Sequence, residues 1–297
     1  MSPAWSWYVT ILSLANILAC VWLIRWTAKK RPGEKAASDT TGHEWDGLRE
    51  YNNPMPRWWL GLFYLGIVAA LVYLLLYPGL GNYKGLLGWT QTGAYEAEVA
   101  AVEADVAPLF AKYAATPIPE LAKDPAAMAT GRRLFLTNCA VCHGADGHGS
   151  RGFPNLADNI WHWGGSPEQI EQTITSGRQA AMPPWGPALG DDGVKAVAAY
   201  VRSLGGREAD PALVAAGKEK FQTLCVACHG PEGKGNPMLG APDLTDDYWL
   251  YGSSQESVET SIRGGRMGMM PAHKDLLNPQ RIHVLAAYVY GLSHEQP

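Results

Sequence analysis

The sequence predicts an all-α protein: two N-terminal membrane-spanning helices, then two tandem copies of a small helical domain. Three observations carry this prediction. Residues 1–24 and 58–83 each run without a charged side chain. "GRRLFLTNCAVCHG" (131–144) returns as "GKEKFQTLCVACHG" (217–230), an offset of 86. "LADNIWHWGGSPEQIEQTITSGRQAAMP" (156–183) then aligns without gaps to "LTDDYWLYGSSQESVETSIRGGRMGMMP" (244–271), an offset of 88, and such a period marks an internal repeat.

Either charge-free run is long enough to cross a hydrocarbon core, which takes about 20 residues. Trp5, Trp7, Trp22 and Trp26 bracket the first; Trp58, Trp59, Tyr77 and Tyr83 bracket the second, as interfacial anchors do. A cleaved signal peptide would put positive charge before the first run. Here it follows, at Arg25, Lys29, Lys30 and Arg31, so the run reads as a span. Residues 25–57 add Lys35, Arg49 and Arg57, while residues 1–24 carry no basic residue. Short basic loops stay in the cytoplasm. Loop 25–57 is therefore expected there, with both termini and everything past about residue 84 in the periplasm of a bacterial inner membrane.

The remaining chain divides into a linker (84–125) and two copies, at 126–207 and 208–297. The linker stretch "AYEAEVAAVEADVAPLFAKYAA" (94–115) has helix-forming composition and reads as a packing or spacer helix. "TPIPELAKDP" then breaks it and marks a boundary. Composition bounds the function as well. Charged residues are 18% of the chain, against about 25% in soluble proteins. The net charge of -4 argues against nucleic acid, which would need a basic patch.

Four of the five cysteines fall in two C-x-x-C-H motifs, Cys139–Cys142–His143 and Cys225–Cys228–His229; the fifth, Cys20, lies in the first span. C-x-x-C-H is the attachment site of c-type haem: each thiol adds to a vinyl group and the adjacent imidazole ligates iron. Chance alone yields about two such matches per thousand chains of this composition, so two in register within a repeat are a signal. A thioredoxin-like pair needs no following histidine and sits in a βαβ context. A zinc site needs all four cysteines together, whereas each pair belongs to its own copy. The expectation is two covalently bound haem c.

An electron-carrying haem takes a sixth ligand, and a methionine thioether raises its potential relative to a second histidine. Met182 stands 39 residues after His143, before Pro183. Among Met267, Met269 and Met270, the gapless alignment pairs Met270 with Met182, four residues past the paired Arg266 and Arg178. A residue before proline is held extended, which suits a ligand reaching in from a loop. The bland reading of either methionine is core filler. His273 is the alternative ligand in the second copy, and His148 lies too near His143 to reach the opposite face. Since each copy holds a complete set, local pairing is expected: His143 with Met182 and His229 with Met270. Arg178 and Arg266 read equally as partners of haem propionates or as solvated loop residues. Trp161 and Trp249 read as core or haem-packing aromatics. Tyr200 and Tyr288 should pack against the first helix of a copy.

Each copy resembles a class I cytochrome c domain: C-x-x-C-H after a short helix, a Met-Pro loop, then a closing helix. "GHEWDGLREYNNPMPRWW" (42–59) resembles the N-terminal signature of the membrane-anchored diheme cytochrome c subunit (subunit III) of cbb3-type cytochrome c oxidases. The span at 1–24 is an addition to the simplest members, shared by some. The resemblance implies a non-catalytic electron-transfer subunit of an oxidoreductase complex. Electrons would enter from a donor cytochrome c or the cytochrome bc1 complex. They would leave to a monohaem cytochrome c subunit and the catalytic haem-copper subunit, where oxygen is reduced to water. The alternatives are the electron-transfer subunit of a periplasmic dehydrogenase, and a haem-based gas sensor with an open iron position.

Overall fold

A computed structural model describes residues 1–29, 40–51 and 54–294. Asn53 of the quoted signature, and Lys30, Arg31 and Lys35 of the basic loop, lie outside the described residues. The chain forms two compact units, Met1–Asp105 and Val106–Pro297.

In the first unit, α1 (Pro3–Thr27) starts where the Ser2 hydroxyl accepts the Trp5 N–H, with Pro3 at the first helical position. Both α1 and α2 (Arg57–Leu76) are long and apolar enough to cross a membrane, and neither has a buried residue within the chain. Their ends are tied together: Asn82 donates its N–H to Ser6 Oγ at 2.8 Å and its side-chain amide to the Met1 carbonyl at 3.1 Å. The start of α1 and the exit of α2 thus share one end of an antiparallel pair. Between them β1 (Thr40–Trp45) and β2 (Leu48–Tyr51) pair antiparallel, Trp45 opposite Leu48. Asp46 and Gly47 make the turn, both with positive φ (49° and 82°), as Asp-Gly hairpin turns require.

α3 (Gln91–Ala114) runs across the unit boundary and buries Phe110 and Tyr113 in its last turns. The short α4 (Ile118–Leu121) buries both of its end residues. Ile118 and Leu121, in the stretch expected to mark a boundary, join the core of the second unit.

Two haem-type modules follow in that unit. α5 (Pro125–Asn138) is capped by the Asp124 carboxylate and leads into α6 (Ala140–His143). α7 (Pro167–Ser176) opens with a reciprocal Ser166–Gln169 cap, and β3 (Arg178–Met182) leads into α8 (Gly186–Leu204). The second copy repeats this order: α9 (Pro211–Leu224), α10 (Val226–His229), α11 (Gln255–Gly264), β4 (Arg266–Met270) and α12 (Pro279–His294).

The copies exchange their closing segments. α5 packs on α12, not on α8, and α9 packs on α8. The crossings are close because each has a glycine. A Cβ on Gly131 would stand 2.6 Å from Tyr288 Cβ, and one on Gly217 would overlap the Ala196 carbonyl. Phe135 meets Tyr288 with ring centroids 5.3 Å apart, and Phe221 meets Tyr200 at 5.2 Å. Both tyrosines do pack against a first helix, but that of the other copy. The crossover is a two-stranded antiparallel ribbon, with Arg178 opposite Met270 and Met182 opposite Arg266. Two cores result. One gathers Phe135, Ile170, Ile174 and the α12 residues Val284 and Leu285; the other gathers Val194 and Val197 of α8 with Phe221, Val258 and Ile262. The all-α class holds, with the two short ribbons added to it.

Candidate haem sites

Each C-x-x-C-H motif sits on one short turn after a helix. In the first, the N–H groups of Cys142 and His143 donate to the Cys139 carbonyl at 3.1 and 3.0 Å. The turn closes with Gly149 N–H on the His143 carbonyl at 2.7 Å, where a side chain on Gly149 (φ 69°) would overlap the Phe153 carbonyl. The second motif repeats these contacts, Cys228 and His229 onto Cys225 at 3.2 and 2.9 Å, and Gly235 onto His229 at 2.8 Å.

His143 is 8% exposed, and its Nδ1–H donates to the Pro154 carbonyl at 2.9 Å. His229 does the same to Pro242 at 3.2 Å. Fixing the proton on Nδ1 leaves Nε2 as the lone-pair nitrogen, the tautomer a metal ligand needs. Burial lowers the pKa of both imidazoles, which keeps them neutral.

The thiols are all free. Burial, assisted by the neighbouring cysteine, pushes Cys139 up to about 11, and Cys225 likewise to about 11. A redox-active C-x-x-C lowers the pKa of its attacking thiol. These buried thiols are shifted the opposite way, which disfavours the thioredoxin-like reading. The two pairs also belong to different cores, which disfavours a four-cysteine zinc site.

Local pairing keeps each methionine with its own copy; in the fold each methionine packs on the core that holds the other copy's motif. Met270 packs against the first core, which Cys139, Ala140 and Trp161 also line. Met182 packs against the second, which Cys225, Val226 and Trp249 also line. The exchanged ribbon carries each methionine across. His273, the alternative ligand, goes with Met270: its N–H donates to the Ile174 carbonyl at 3.0 Å and it is buried. His148 stays exposed beside Asp146 at 3.2 Å.

Buried donors without acceptors test whether a haem fits. Among the described residues, four buried side-chain atoms lack a partner: Trp249 Nε1 and Arg266 Nη2 in the second module, His273 Nδ1 in the first and Thr41 Oγ1 on β1. A buried donor left unpaired is costly. Arg266 is held by an Nε–H donated to Ser261 Oγ at 2.9 Å and by stacking over Tyr251 at 4.2 Å. Two fixed donors, one cationic, call for an anionic acceptor, which haem carboxylates supply. Arg178 repeats the pose, donating to Thr173 Oγ1 at 2.9 Å and lying over Trp163 at 5.1 Å. Neither arginine is therefore a freely solvated loop residue.

Paired thiols, a neutral histidine (buried at His143, half-buried at His229) and a methionine, twice over on helical modules, define a tandem c-type cytochrome attached to two membrane-type helices. Comparison with known proteins makes this specific. The family described as "Cytochrome C oxidase, cbb3-type, subunit III" matches residues 126–201 and 212–289. "N-terminal domain of cytochrome oxidase-cbb3, FixP" matches residues 37–84, beginning after α1. The chain is 47% identical over 294 residues to the "Cbb3-type cytochrome c oxidase subunit CcoP" of Rubrivivax gelatinosus, covering 98% of this chain and 96% of that protein. It is 42% identical over 274 residues to the "Cbb3-type cytochrome c oxidase subunit FixP" of Azorhizobium caulinodans, covering 86% and 94%. The FixP of Bradyrhizobium diazoefficiens is 44% identical over 272 residues, covering 85% and 94%. The chain belongs to the cbb3-type cytochrome c oxidase subunit III family, a membrane-anchored diheme c-type cytochrome with two covalently bound haem c.

Proposed function

We propose that this chain relays electrons from a donor cytochrome to the catalytic subunits of a cbb3-type terminal oxidase, through two haems with exchanged axial ligands. The observation that supports the reading is that Met270 packs on the core Cys139 lines and Met182 on the core Cys225 lines. When bound, haem supplies an iron that takes up and gives back one electron. The chain's own residues do the rest. Cys139 and Cys142 tether the first macrocycle, and Cys225 and Cys228 the second, each S–H adding across one vinyl C=C with no oxidant needed. His143 and His229, oriented by their Pro154 and Pro242 acceptors, would supply an imidazole Nε2 to each iron. Met270 and Met182 would supply a thioether. An iron held by both would suit electron transfer rather than gas binding.

The modules, in this reading, face the periplasm, where covalent haem attachment takes place, and loop 25–57 faces the cytoplasm. Support comes from the basic residues of the loop and from the shared end of α1 and the α2 exit. The partners are the catalytic haem-copper subunit and the monohaem cytochrome c subunit, with a donor cytochrome c or the cytochrome bc1 complex upstream. Family membership favours the oxidase over a periplasmic dehydrogenase. Purification of the complex tests this: a copper-containing membrane subunit should accompany the chain, and a flavin- or quinone-dependent dehydrogenase in its place would refute it. The ligand exchange is tested by Met182→His, which should lower the potential of the haem tethered at Cys225 and Cys228. A fall at the haem of Cys139 and Cys142 instead would restore local pairing.

A further inference from the structure

The two modules are built alike, yet a relay gains from two unlike haems, and one contact breaks their symmetry. The Pro154 carbonyl that accepts from His143 Nδ1–H is one end of a planar peptide group whose other end is the Asn155 N–H. That N–H donates across the repeat to Tyr248 Oη at 2.9 Å. Tyr248 comes from the second copy and is half-buried, its ring 5.8 Å from that of His162. A second bond beside it, Gly152 N–H to the Leu250 carbonyl at 2.9 Å, fixes the two loops together. In the gapless alignment the residue equivalent to Tyr248 is Ile160, which has no hydroxyl to offer the Pro242–Asp243 peptide behind His229. The histidine bonds differ in the same sense, 2.9 Å at His143 and 3.2 Å at His229.

We propose that Tyr248 is a positioning residue for the first haem, acting from the second copy through the Pro154–Asn155 peptide on the proximal histidine His143. The inference rests on the reading above that His143 is an axial ligand. A hydrogen bond donated by the N–H end of a peptide polarises the group and makes its carbonyl end a better acceptor. A better acceptor at Nδ1–H raises the basicity of the imidazole as a ligand. A more basic ligand favours ferric iron, so Tyr248 lowers the potential of the first haem and leaves the second alone. One hydroxyl thus separates the potentials of two modules that duplication made nearly equal.

Tyr248→Phe keeps the ring and removes only the hydroxyl. In the full-length, haem-loaded chain in detergent, with Met182→His added to move the second haem away, a redox titration reads the first haem separately. Its reduction equilibrium should shift about threefold toward ferrous iron, ~28 mV upward at 59 mV per tenfold for one electron. A purely structural role predicts the opposite sign, because loosened packing admits water and favours the ferric charge. An unmoved or lowered first potential therefore overturns the inference, and so does an equal shift of both haems. If Met182→His moves neither potential, the axial-ligand reading fails on its own. Tyr248→Phe is then judged from the two potentials of the otherwise unmodified chain, where only an upward shift of one haem supports it.

Discussion

Met182 lies directly opposite Arg266 across the β3–β4 ribbon, so the methionine of the first copy and the guanidinium of the second serve one module. Arg266 Nη2 and Trp249 Nε1 are the two unpartnered donors there. If they hold haem carboxylate, their loss leaves that negative charge less compensated and stabilises ferric iron. Trp249→Phe should lower the potential of the second haem, and Arg266→Lys, which loses the planar fork, should lower it too. Redox titration with the haems distinguished checks this. An unchanged second potential in both variants would remove carboxylate as their partner.

The exchange also makes a stability prediction. Aromatic pairs contribute about 0.5–1.5 kcal/mol beyond their buried area. A double-mutant cycle on Phe135 and Tyr288, each changed to Leu, should return a coupling of about that size. The cycle on Phe135 and Tyr200 should be additive within about 0.3–0.5 kcal/mol, because those residues lie in different cores. Denaturant unfolding of the haem-loaded chain reads both. Coupling of Phe135 to Tyr200 would mean that α8 returns to α5.

These particulars show what the sequence could and could not reveal. Spans and motifs were legible because each rests on local chemistry: an uncharged run, a spacing. The exchange was not. Gly131 and Gly217 play the same part, as do Tyr200 and Tyr288, so either first helix fits either closing helix. Only the path of the connecting strands decides, and no residue type marks it. Tyr248 escaped notice for a related reason, since its partner is a backbone N–H 93 positions away. The Asp46-Gly47 turn was readable, since an Asp-Gly pair favours a tight hairpin. His273, weighed as a ligand of the second haem, went with its own strand to the first module.

The β1–β2 hairpin carries exposed Trp45 and Leu48 side by side beyond that turn. Exposed aromatic and aliphatic side chains on a tight hairpin suit a protein contact better than a redox role. Replacing Trp45, Asp46 and Asn53 together should lower the yield of assembled complex while leaving the haem spectrum of surviving chains intact. Native gel electrophoresis with haem staining checks it. Normal assembly with a bleached haem would contradict it.

Cys20 is exposed on α1, its thiol donating to Asn16 Oδ1 at 3.6 Å within the same helix. Cys20 belongs to the first unit, both motifs to the second. Cys20→Ala should therefore keep two haems per chain through acid-acetone extraction, and a count of one would sink the attachment scheme.

The sharpest test of how the sixth ligands are seated uses the two glycines that precede the ribbon. Gly265 has φ 72°, a left-handed conformation in which a side chain is strained, and a Cβ there would overlap the Met182 carbonyl. Gly177, at φ 69°, stands in the same relation to the Met270 carbonyl. Gly265→Ala therefore pushes on the methionine of the second module, and Gly177→Ala on that of the first. The left-handed φ costs Ala about 1 kcal/mol and the overlap about 1–3 more, enough to detach a weak thioether in part of the population. In Gly265→Ala the haem at Cys225 and Cys228 should show a high-spin ferric fraction while the other stays low-spin, and Gly177→Ala should reverse the pattern. Electron paramagnetic resonance, with each haem identified by its potential, reads both. If both variants remain low-spin at both haems, Met182 and Met270 are not held by the ribbon, and the exchanged ligation loses its structural basis.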